Sequence, residues 1–120
     1  MVSASLKHTG YWGTHTNLVE TAKTHPEDLS VRGYLEITRA RIVRDLCSRP
    51  AGMTAVPILA LDFQHHYERY DLSAAEGYLA SLIDGVLTVA QLLKVSPFDQ
   101  FTTLFLLARL EQLKVIAFPS

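Results

Sequence analysis

A chain of 120 residues, 48% of them hydrophobic, is long enough to bury one core and too short for a large two-domain enzyme. Lys and Arg number 11 against 12 Asp and Glu, a formal net charge of −1 that gives no overall bias towards nucleic acid or another polyanion. Cys47 is the single cysteine, the N-terminus lacks the charged start and apolar run of a signal peptide, and the strongest apolar stretches, 55–61 and 101–110, fall short of the roughly 20 residues that cross a bilayer, so a cytoplasmic protein with no membrane span is expected.

Residues 1–15 are polar, contain Gly10 and Gly13 around the pair Tyr11-Trp12, and show no apolar period long enough for a helix. An extended arm over 1–25 is the expectation, with a short helical turn at 16–23 ended by His25-Pro26. If exposed, Tyr11 and Trp12 are candidate anchors for a partner; the alternative is burial of both rings against the core.

Over 26–48, Leu35, Ile42, Val43 and Leu46 stack on one helical face, and Ser48-Arg49-Pro50-Ala51-Gly52 stops the helix. The alternation within Tyr34-Leu-Glu-Ile-Thr-Arg-Ala-Arg-Ile-Val also suits a half-buried strand, with helix the preferred reading. Arg32, Arg39, Arg41, Arg44 and Arg49 form the one basic cluster. Glu36 and Asp45 stand at helical ion-pair spacing from Arg39 and Arg41, which makes a solvated face the default. Arg39 and Arg41 are the candidates for an acidic partner or a nucleic-acid backbone. Within 53–70, Pro57 removes a backbone donor, so this connector reads as an edge strand or extended piece leading into a short helix.

Three helix-start patterns then follow: Ser73-Ala-Ala-Glu76, Thr88-Val-Ala-Gln91 and Ser96-Pro97-Phe-Asp99. The first two are capping boxes, in which hydroxyl and Glu or Gln satisfy each other's backbone N–H. The third places Pro at the first helical position after Ser96. Gly85 supplies a turn between the first two helices. A three-helix unit over 71–120, with a short middle helix, has the connectivity of a helix-turn-helix or winged-helix core. The expected architecture is therefore a small, mainly α, single domain: arm 1–25, helix and connector 26–70, winged-helix-like unit 71–120, with a short N-terminal strand as an alternative to the arm.

Glu76, Ser81, Ile83, Asp84, Gly85, Thr88 and Leu92 form a run that resembles the small helical module accompanying PATAN-type domains of bacterial signalling proteins, over about 45 residues of the C-terminal part. The Ile-Asp-Gly turn followed by Thr-Val is also similar to that of small peptide-binding winged-helix domains of peptide-modification systems. The resemblance implies a bacterial binding or regulatory module without catalysis of its own.

The third helix is apolar on two sides: Phe101, Leu104, Phe105 and Ala108 on one, Leu106, Leu110 and Leu113 on the other. Packing of the N-terminal helix on the second side is the plain explanation; a homodimer or partner surface built on Leu106, Leu110 and Leu113 is the sharper one. From His65 onward the basic residues are Arg69, Lys94, Arg109 and Lys114 against Glu68, Asp71, Glu76, Asp84, Asp99 and Glu111, a poor balance for a polyanion binder. The five histidines have no metal-ligand spacing, and no nucleophile constellation is evident. The expected function is a non-enzymatic regulatory adaptor that binds a protein or peptide and uses no cofactor or metal. The alternative is a DNA-binding regulator using the third helix and the arginine-rich one.

Overall fold

A computed structural model describes the backbone of residues 2–119 and the side chains of residues 12–119. The chain divides into two compact units, 1–45 and 46–120.

The first unit holds α1 (Val2–Thr24) and most of α2 (Leu29–Cys47). The arm expected over 1–25 is thus helical, which corrects the extended reading. Trp12, His15, Val19 and Ala22 recur at spacings of three and four on the less exposed side of α1, His15 being buried. Gly10 and Gly13 each disfavour the helix by about 1 kcal/mol relative to Ala, so propensity alone does not account for it. Arg39 on α2 donates from Nε to His15 Nε2 at 3.1 Å, and Trp12 meets the His15 ring edge to face, centroids 5.6 Å apart. The turn at 25–28 reverses the chain. Asp28 caps α2, its carboxylate accepting from Ser30 N–H at 2.9 Å and Val31 N–H at 3.3 Å. Residues 34–43 are helical, as preferred, with Ile42, Val43 and Leu46 buried and Tyr34, Ile37 and Arg41 exposed.

The second unit takes in the last two residues of α2, then a 3-10 turn at Gly52–Thr54, β1 (Ile58–Leu59), α3 (Leu61–His65) and a second 3-10 turn at Tyr67–Arg69. It then forms α4 (Ala74–Ser81), α5 (Val89–Val95), α6 (Gln100–Gln112) and β2 (Ile116–Ala117). β1 pairs antiparallel with β2, Ile58 opposite Ala117 and Leu59 opposite Ile116. Pro57 is fully buried at the entrance to β1, so the connector is both edge strand and lead-in to a short helix.

Both expected capping boxes are complete. Ser73 Oγ accepts from Glu76 N–H (3.2 Å) while Glu76 accepts from Ser73 N–H (2.9 Å), and Thr88 and Gln91 repeat the arrangement at the same distances. The third start lies three residues later than expected. Asp99 caps α6, taking Thr102 N–H at 2.7 Å and the Thr102 hydroxyl at 3.0 Å. A carboxylate accepting two bonds at the positive end of a helix outcompetes the neutral Ser96 hydroxyl. Ser96 instead accepts from Phe98 N–H (3.1 Å) and shares a hydrogen bond with the buried Thr103 hydroxyl (2.8 Å).

α4, α5 and β2 pack on α6. The core comprises Leu79, Ile83, Val89, Leu92, Leu104, Leu107, Leu110, Val115 and Ile116. Gly85 takes φ +79 in the turn after α4, where Asp84 accepts from Val86 and Leu87 N–H at 2.9 and 3.0 Å.

Candidate functional site

The residues singled out from sequence do not converge. The side chain of Tyr11 lies outside the described residues. Trp12 is half-buried against His15, and Arg39 is bonded to His15, so both build the helical unit. Arg41 is exposed on α2. Leu106 and Leu110 are 8% and 0% exposed, which takes both off the surface expected of them, while Leu113 is half-buried. A helix apolar around most of its circumference is the buried centre of its fold, and α6 fits that description.

The two arginines on and beside α6 are already on carboxylates or amides, whereas Lys114 at its C-terminal end is exposed. Arg109 stands 3.6 Å from Glu76 and bonds Gln112 at 3.0 Å. Arg49 makes a two-pronged pair with Glu111, both contacts 2.7 Å, and lies over the Phe118 ring. Among the described residues no group of His, Cys, Asp and Glu could hold a metal ion.

A different place in the second unit is concave. Leu59 of β1, Phe63 and Gln64 of α3, Tyr67 of the following turn, and Gly77, Ala80 and Ser81 of α4 line an open groove of about 320 Å³, within the range of volumes that ligand sites occupy. Of the lining residues Tyr67 is 67% exposed. Local chemistry shapes each wall. The capping box at Ser73 fixes where α4 begins, and so sets Gly77, Ala80 and Ser81 along the groove floor. Phe63 is held by an edge-to-face contact with Tyr70, centroids 5.1 Å apart. Tyr70 in turn donates its hydroxyl to Asp62 at 2.6 Å, and that hydrogen bond to a carboxylate raises the phenol pKa above its ordinary value.

Two features of the walls bear on what the groove can hold. Gly77 sits inside a helix, where glycine is disfavoured by about 1 kcal/mol, yet a Cβ added there meets no atom within 4 Å outside its own helix backbone. The same holds for Gly33 within α2, so what Gly77 contributes to the groove is open space beside the α4 backbone. The second is the backbone of β1. Ala60 N–H donates to Val115 C=O at 2.8 Å. Alternation along an antiparallel pair therefore turns Leu59 N–H and C=O away from β2. The Gln64 carboxamide donates to that outward Leu59 C=O at 3.1 Å. Neither Gly77 nor Leu59 stands out in the sequence, because the groove joins a strand, a turn and two helices that only the fold brings together.

Among the described residues no helix is long and apolar enough to cross a membrane. No family model matches the chain, and no curated protein or solved structure shows significant similarity to it.

Proposed function

We propose that this protein is a non-enzymatic regulatory adaptor of bacterial type whose second unit, a winged-helix-like arrangement of α4, α5 and α6 with the β1–β2 pair, binds a segment of another protein. The observation that carries the reading is the open apolar groove bounded by Leu59, Phe63, Tyr67 and Gly77. The resemblance of the Ile83–Thr88 turn region to PATAN-associated modules agrees with a binding role. The expectation of a homodimer rested on the second apolar side of α6, and burial of Leu106 and Leu110 removes that reason. The DNA-binding alternative draws less support, because α6 is largely buried and Arg109 and Arg49 are committed to Glu76 and Glu111.

The test is affinity capture from native lysate, with and without nuclease, using wild type beside Gly77→Leu and Arg41→Glu. A stoichiometric protein that survives nuclease, persists with Arg41→Glu and disappears with Gly77→Leu supports the groove. Recovery of nucleic acid that depends on Arg41 instead overturns the adaptor reading in favour of DNA binding.

A further inference from the structure

We infer that the occupant of the groove is an extended, positively charged peptide segment, which lays its backbone along the outer edge of β1, displaces Gln64 from Leu59, and seats one apolar side chain over Gly77. The inference rests on the binding role proposed above and names its partner.

Each part follows from a separate observation. An exposed strand edge recruits another strand because its N–H and C=O groups seek partners. At Leu59 the carbonyl is already covered, by an amide from a side chain on the next helix. The Gln64 carboxamide makes the hydrogen bond that the N–H of an added strand makes in β-augmentation. It acts as a detachable stand-in, since a side chain on the exposed α3 rotates away with no change of fold. Pro57, fully buried and lacking an N–H, limits the edge on one side and α3, from Leu61, on the other, so Leu59 supplies the outward backbone groups. The added strand is therefore short, and side-chain contacts in the groove must supply the rest of the affinity. Those contacts are apolar at Leu59, Phe63, Tyr67 and Ala80, and the open space above Gly77 admits a side chain close to the α4 backbone.

Charge selects among apolar segments. The stretch from Leu61 to Gly77 that builds two walls carries Asp62, Glu68, Asp71 and Glu76 against Arg69. Arg109 offsets Glu76, and the remaining excess is negative. Asp62, Glu68 and Asp71 are exposed, the first two next in sequence to the lining residues Phe63 and Tyr67, so the local field favours Lys and Arg in a ligand and repels carboxylates.

The experiment is selection on the wild-type protein from a display library of random peptides of about 12 residues, long enough to cross the groove at roughly 3.3 Å per extended residue. Selected peptides are expected to be rich in Lys and Arg around one large apolar residue and to weaken at least about tenfold on Gly77→Leu. They are also expected to tighten a few-fold on Gln64→Ala, and to slow amide exchange at Leu59 by about tenfold or more. Selected peptides that are neutral or acidic but lost on Gly77→Leu overturn the charge assignment while the groove reading survives. Unchanged exchange at Leu59, or weaker binding to Gln64→Ala, overturns strand addition. No enriched peptide, or peptides indifferent to Gly77→Leu, overturns the groove reading itself.

Discussion

Val115 N–H donates to the carbonyl of Leu110 at 2.9 Å, and both side chains are fully buried. With Lys114 N–H on Glu111 C=O at 2.9 Å, this closes α6 as a Schellman motif and turns the chain into β2. Lys114 occupies the left-handed position, φ +65, that usually belongs to glycine. Lys114→Gly relieves that conformation and is expected to stabilise the protein by about 0.5–1 kcal/mol, whereas a β-branched residue such as Val destabilises it. Chemical denaturation of the two variants beside wild type checks the sign.

Leu110 is the centre of the core, so Leu110→Ala is expected to cost about 2–5 kcal/mol. Loss of any partner in such a variant reports unfolding. Comparison of circular dichroism melts with binding for Leu110→Ala and Gly77→Leu separates the two effects, since the latter removes a helix-disfavouring residue and leaves the melting temperature equal or higher.

The helix caps carry a pH dependence with a definite sign. Asp99 is held below the ordinary carboxyl pKa by the Thr102 backbone N–H first and its hydroxyl second, and Asp84 by the N–H groups of Leu87 and Val86. A folded-state pKa below the unfolded one means stability that is present above the unfolded value of 3.8 and is lost as pH falls through the folded value. Asp99→Asn keeps an acceptor and removes the titration. Its unfolding free energy should therefore fall less steeply than that of wild type below pH 3.8, as measured by urea titrations across that range.

Ser73→Ala and Thr88→Ala each open a complete capping box and are expected to cost about 1 kcal/mol. The Ser73 change has a second readout. Fraying at the start of α4 displaces the floor of the groove, so peptide binding weakens more for Ser73→Ala than for Thr88→Ala at equal loss of stability.

The capping boxes were legible because both partners lie within three residues of each other and answer one local question. The positive φ at Gly85 was legible for the same reason. At Ser96-Pro97-Phe98-Asp99 two local rules competed, and only the strength of the Asp99 carboxylate bonds decided the outcome. The helix through Gly10 and Gly13 was not legible from propensity, and the bond from Arg39 to His15 joins residues 24 positions apart. Leu106 and Leu110 read as either core or interface in sequence, and packing alone distinguishes them. The groove was hidden for a related reason: Leu59, Phe63, Tyr67 and Gly77 belong to four elements and share no spacing.

The central claim is that a partner sits in the groove of the second unit, and site-specific photocrosslinking in living cells tests it most directly. A photoreactive phenylalanine derivative is placed at Tyr67, exposed on the groove, and separately at Val95, exposed on α5 and not part of the groove lining. A discrete protein adduct at position 67, absent at 95 and abolished by Gly77→Leu, is the predicted result. Equal adducts at both positions, or an adduct at 67 that persists with Gly77→Leu, would contradict the account.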